Sequence, residues 1–172
     1  TGSRKPDLML EAVIDKDQVF VQEPVSVSFL LYYATEVNLY DIRRHPSTEG
    51  FWNEPVEMKN ARNLGNRVVQ GKTYAVAEIY KTLLFPTQSG ELTIGSMDVI
   101  CEVMERSNRR RPSSLFDSFF DQVSRVRKDV RSDPVELRVK PLPKEDQPDN
   151  YQGVVGNYTI ACLLYTSPSP RD

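Results

Sequence analysis

Cysteine, histidine and long apolar runs are scarce in this chain, and each scarcity removes a class of protein. Two cysteines, Cys101 and Cys162, are too few for a disulfide framework or a four-cysteine zinc site. The one histidine, His45, lies in the polar stretch Arg43-Arg44-His45-Pro46-Ser47. No Gly-x-Ser-x-Gly or equivalent nucleophile context accompanies it, so His45 reads as a loop residue and no catalytic residue is assigned. No run approaches the roughly 18 apolar residues that span a bilayer, and the first six residues lack the apolar segment of a signal peptide. Charge of one sign is missing too. Lys and Arg total 22 against 24 Asp and Glu, a net charge of −2 that argues against general affinity for nucleic acid.

What is present is a globular composition with a strong period of two. The 172 residues are 39% hydrophobic and 27% charged, enough for one domain of ordinary size. Leu8, Leu10, Ala12 and Ile14 alternate with Met9, Glu11 and Val13, the signature of a strand. Val25, Val27, Phe29, Leu31 and Tyr33 share the next apolar face, opposite two serines. Further strands are predicted at Val37–Ile42, Tyr74–Phe85 and Leu92–Met104, the last two read as a long hairpin across Pro86–Gly90. Val135, Leu137 and Val139 mark a closing strand. No segment of similar length carries helical spacing with caps. The expected fold is all-β, an immunoglobulin-like antiparallel β-sandwich with a long loop insertion.

The insertion is expected where alternation breaks, between Glu105 and Asp133. It holds Arg109-Arg110-Arg111-Pro112, then Leu115-Phe116-Asp117-Ser118-Phe119-Phe120, then a basic stretch from Arg125 to Arg131. Long loops without strand signals are commonly functional or disordered. Arg109, Arg110, Arg111, Leu115, Phe116, Phe119 and Phe120 are therefore candidates for binding a partner, with docking on the domain itself as the alternative.

Residues 1–6 read as a linker, 7–140 as the sandwich domain and 141–150 as a Pro-rich linker. Residues 151–161 read as the first strand of a further domain. The last eleven, 162–172, resemble the conceptual translation of a transposase-type sequencing adapter, a reading that leaves Cys101 as the single native cysteine.

Several smaller features favour plain readings. Gly71-Lys72-Thr73 looks like the end of a phosphate-binding loop, but the position five residues before Gly71 is Asn66, where that loop needs glycine. A turn leading into a strand fits better. Cys101 alternates in phase with Val99 and Val103 and is expected to be a buried, inert thiol. Asp15, Asp17 and Glu23 lack the acidic spacing of a calcium loop and are assigned to turns; no metal or cofactor is expected. Glu49-Gly50-Phe51-Trp52 carries the only tryptophan, which either plugs the core or anchors a partner. Phe51 and Trp52 join the candidate contact residues.

Taken in order, several segments resemble the BatD family of bacterial oxygen-tolerance proteins encoded in Bat operons. They are Asp15–Val25, Glu49-Gly50-Phe51-Trp52, Asn66–Tyr74, Leu84–Ile94, Val139–Pro143, and the glycines Gly153 and Gly156. The resemblance covers nearly all of residues 7–161. It implies a secreted N-terminus, tandem immunoglobulin-like domains outside the cytoplasmic membrane and an anchoring helix beyond this stretch. It also implies protein partners, among them von Willebrand factor A-domain proteins and MoxR-type ATPases of the same operon, and supplies no catalytic residues. The expected role is an extracytoplasmic interaction or scaffold module, not an enzyme, with a carbohydrate-binding or adhesin-like module as the alternative.

Overall fold

Strand pairing converts these alternations into layers. The computed structural model describes residues 5–106 and 123–143. Within them lie β1 (Leu8–Ile14), β2 (Gln18–Phe20), β3 (Val25–Tyr33), β4 (Val37–Arg44), β5 (Phe51–Pro55) and β6 (Arg62–Val69). The remaining strands are β7 (Lys72–Pro86), β8 (Gly90–Ile94), β9 (Asp98–Arg106), β10 (Val123–Arg131) and β11 (Val135–Lys140). No helix among the described residues is long and apolar enough to cross a membrane.

The largest sheet has the order β1-β3-β7-β5, and β6 also pairs with β7, so β5 and β6 share one edge of the long central strand. A second sheet is β10-β9-β4 and a third is β2-β11-β8. Only β2 and β11 run parallel. One hydrophobic core joins all three sheets: Leu10, Val27, Phe29 and Leu84 meet Val99, Cys101 and Val103 as well as Val19, Ile94 and Leu137. This is the all-β, sandwich-like arrangement expected from the period of two.

The inward residues of β1 and β3 are those the alternation picked out. Leu8, Leu10, Ala12 and Ile14 pack on the core, as do Val25, Val27, Phe29, Leu31 and Tyr33. The outer face of β3 departs from the expectation of a wet side. Leu30 and Tyr32 join Tyr74 and Val76 in a second buried cluster on that face, flanked by Met9, Leu64 and Val69. A bulge makes this possible: the β3–β7 register shifts between Phe29 and Leu30. The extra residue on β7 lets Ile79 and Tyr80 both reach the main core, while Glu78, Val76 and Tyr74 turn outward.

Two expectations are corrected. Leu92–Met104 is not one strand hairpinned to β7; β8 pairs with β11, and β9 pairs with β4 and β10. The central strand β7 already has β3 on one side and β5 with β6 on the other, so no edge remains for the chain that follows it. The break between β8 and β9 falls at Gly95, where a Cβ would lie 2.9 Å from the Ser47 backbone nitrogen. A matching break separates β10 from β11 at Ser132. The two breaks are tied together, because Met97 N–H donates to Ser132 Oγ (2.9 Å) and Ser132 N–H donates to the Met97 carbonyl (3.0 Å).

The second correction concerns the basic stretch of the expected insertion, which is strand. β10 pairs residue by residue with β9 from Val123 to Arg131. Among the described side chains of β10, Val126 and Val130 pack on the core, while Arg125, Arg127, Asp129 and Arg131 are exposed. Cross-strand pairs supply the rest of its attachment: Arg125 with Glu102 (3.8 Å), Arg131 with Asp98 (3.4 Å), and Lys128 with Glu105. The turn expected at Gly71 is a two-residue hairpin loop joining β6 to β7. Gln70 and Gly71 both have positive φ (47° and 84°), as a type I′ turn requires.

Candidate functional site

Gly50 decides how the two aromatics of β5 are presented. Its φ of 83° lies in the left-handed region, and its carbonyl accepts Thr87 N–H (2.9 Å) and Thr87 Oγ1–H (3.0 Å). That anchorage starts β5 in a register pairing Phe51 with Pro86, Trp52 with Phe85 and Glu54 with Leu83. Phe51 consequently packs against the main core. Trp52 points the other way and is 63% exposed. Its indole N–H donates to Glu54 Oε1 at 2.7 Å, which holds the ring on the surface. Of the two readings of the tryptophan, the core plug is overturned by its exposure.

Residues directly opposite on paired strands share a face. Trp52 therefore lies on the outer face of the large sheet with Phe85, Leu83 and Glu54. Continuing across the sheet, Leu83 faces Ser26, Lys81 faces Ser28, and Ser28 faces Val13. Val56 follows β5 and donates its N–H to the Lys81 carbonyl (2.9 Å). Val13 and Val56 are exposed; Leu83, Phe85, Lys81, Ser26 and Ser28 are half-buried. The result is a largely apolar face, formed by Trp52, Phe85, Leu83, Val56 and Val13, with Lys81 among them. Among the described residues, neither Lys81 Nζ nor the Ser26 and Ser28 hydroxyls has a polar partner.

The other half of the same face is closed. Glu78, only 4% exposed, pairs with Arg62 of β6 at 3.1 Å. Tyr32 O–H donates to Glu11 Oε2 (2.7 Å) and accepts from Arg67 Nη1 (3.0 Å). Burial and the Glu11 carboxylate hold the Tyr32 phenol above its ordinary pKa. Tyr74 O–H donates to the Pro6 carbonyl at 2.9 Å, and Lys72, beside the Tyr74 ring, reaches the Lys5 carbonyl at 3.1 Å. Among the described residues, Glu78, Tyr32, Arg67, Tyr74 and Lys72 over that half all have polar partners.

The remaining chemical candidates are placed plainly. His45 is exposed, and its ring lies 5.0 Å from that of Tyr80. Cys101 is fully buried, as its alternation implied, and burial pushes its thiol pKa up to about 11. Asp15 accepts Ser26 N–H (2.8 Å), and Glu23 accepts Phe20 N–H (2.9 Å) and pairs with Lys16 (3.0 Å), which is turn chemistry. No group of three or more His, Cys, Asp or Glu that could hold a metal ion occurs among the described residues. Arg109, Arg110, Arg111, Leu115, Phe116, Phe119 and Phe120 lie outside the described residues.

Lys81, Leu83, Phe85, Val13 and Val56 were not singled out in the sequence. Lys81-Thr82-Leu83-Leu84-Phe85 carries apolar residues on both parities, a sign that both faces of this strand meet something. No family model matches the chain, and neither a curated protein nor a solved structure matches it.

Proposed function

We propose that this chain is a protein-interaction module, and that it docks its partner on the open outer face around Trp52. The observation that carries the reading is the exposed indole beside Leu83, Phe85, Val13 and Val56, set on a sheet whose opposite face is fully packed. Tryptophan is enriched among the side chains that dominate interfaces, and a contiguous exposed apolar patch is uncommon on surfaces that contact only water.

The proposed class is an immunoglobulin-like domain. Its support is strand order: β1-β3-β7-β5 and β4-β9-β10 correspond to the A-B-E-D and C-F-G sheets of a constant-type immunoglobulin sandwich. The proposed particular protein is a membrane-anchored, BatD-like scaffold working outside the cytoplasmic membrane in tolerance of oxygen or envelope stress. Its support is the ordered set of segments from Asp15–Val25 to Gly156, and von Willebrand factor A-domain proteins of the same operon are the proposed partners.

Affinity capture from the producing cell, comparing the wild-type chain with Trp52→Ser, tests the face. The expected result is a roughly tenfold or greater loss of partner, the scale of an interface hot spot. Equal recovery by both forms removes this face from the reading. Excising residues 105–133 is a poor companion experiment because it deletes β10; a cut confined to 107–122 spares every described strand.

A second reading, a carbohydrate-binding module, is favoured by the same exposed indole, since sugars stack on aromatic faces. Aliphatic Val13, Val56 and Leu83 outnumber aromatic groups on the patch, which favours protein.

A further inference from the structure

We infer that the partner segment seated on this face is acidic and apolar in alternation, and that Lys81 reads its carboxylate. The inference rests on the docking reading above and adds the chemistry of the occupant. Lys81 stands among the apolar residues of the patch. Ser28 is opposite it on β3, Val56 is beside it on the β5 side, and Leu83 and Trp52 lie further along the same face. Seven Lys and Arg residues form the described ion pairs; Lys81 forms none, and unlike the similarly unpaired Arg43, Arg127, Arg138 and Lys140 it sits half-buried within this patch. The contrast with the closed half is direct, since there Arg62 and Arg67 are spent on Glu78 and Tyr32.

A partner that covered the patch with apolar groups alone would strip water from the Lys81 ammonium without replacing it. An unpaired buried charge of that kind is penalised on the scale of what a whole hot spot supplies. A partner carboxylate at that point removes the penalty, and the free hydroxyls of Ser26 and Ser28 can donate to its second oxygen. Valine or leucine on either side of the acid then meets Val13, Val56, Leu83 and the indole. Glu54, the carboxylate on the same face, forms no ion pair with Lys81; its Oε1 accepts the Trp52 N–H.

Trp52 is the only tryptophan, so its emission reports occupancy of the face without a label. The probes are an end-capped octapeptide alternating Val and Asp, the same peptide with Asn for Asp, and an oligogalacturonate. Each is titrated into the full chain and into Lys81→Gln, with amide shifts at Ser26, Ser28 and Val56 locating the contact. The expected result is that the Asp peptide binds and that the Asn peptide, or the Lys81→Gln chain, binds about tenfold more weakly. Equal response to the Asp and Asn peptides overturns the acidic occupant and leaves the docking face standing. A response to the oligogalacturonate alone overturns both in favour of a glycan site. Silence toward all three overturns the inference. Retained shifts at Tyr74 and Cys101 certify that Lys81→Gln is folded.

Discussion

The two halves of the outer face of the large sheet are built on the same strands, β1, β3 and β7, yet one is sealed and the other open. The difference is what β6 and the entering chain contribute. Arg62, Leu64, Arg67 and Val69 of β6 cover Glu78, Tyr32 and Val76, while the Pro6 carbonyl receives the Tyr74 hydroxyl. At the other end β5 replaces β6 on the same edge of β7. Its outward residues are Trp52 and Glu54, which hydrogen-bond each other and leave the facing Leu83 and Phe85 partly exposed. Burying polar groups on a sheet face demands partners for all of them, and only the β6 half meets that demand within this chain. The open half is where a second molecule can supply what is missing.

Several measurements would break or sharpen this contrast. Tyr74→Ala should do the most damage, since it empties a fully buried site in the sealed half; a loss of about 3–5 kcal/mol is expected in urea unfolding. A loss under about 1 kcal/mol would mean that the second cluster is not a core. Arg62→Ala leaves the Glu78 carboxylate buried without its cation. About 1–2 kcal/mol is expected after allowing for the exposure of the arginine, and Arg62→Ala/Glu78→Gln should recover part of it in a double-mutant cycle.

Tyr74→Phe removes only the hydroxyl bonded to Pro6 and should cost about 1 kcal/mol. Glu23 has its pKa held below the ordinary 4.5, chiefly by the Phe20 N–H, which outweighs the opposing effect of burial, with Lys16 adding to the lowering. Its folded pKa is depressed, so its contribution is fully present above 4.5 and disappears as pH falls through the lower folded value. Glu23→Gln should therefore flatten the acid limb of the stability profile and leave the neutral region nearly level. The smallest effect on stability is expected for Trp52→Ser, within about 0.5 kcal/mol. Its effect on partner capture should nevertheless be the largest of the set, and a Trp52 variant that unfolds the domain would erase the distinction between the halves.

The fold was legible where one face of a strand meets the core and the other meets water. β1, β11 and the inner face of β3 follow directly from period-two alternation, and Cys101 was correctly placed on an apolar face; β4 is expected at Val37–Ile42 from its residue types, and it packs Val37 and Ile42 inward without alternating. β10 was hidden because it is held to β9 by backbone pairing while most of its side chains are charged or polar, Val126 and Val130 being the ones packed inward among its described side chains. The supposed hairpin of β7 with the following strand failed because adjacency along the chain does not reveal that both edges of β7 are taken. β5 and β6 were unread, and with them the open face. Phe51 and Trp52 are equally apolar neighbours, so composition could not tell which one would be inside.

Local sequence determined the strands whose two faces differ in polarity, such as β1, β3 and β11, and which of their residues seek the main core, because both properties depend on side chains one and two positions apart. Tertiary structure decided the rest. The register of β5 on β7, set by the Gly50 turn, put Phe51 in and Trp52 out. The bulge opposite Phe29 and Leu30 reversed the outward residues of β7 partway along. The β6 arm covered one half of the face and left Lys81 without a counter-charge on the other. Each of these is a relation between residues far apart in the chain, and pairing energies of that kind are not written in any local pattern.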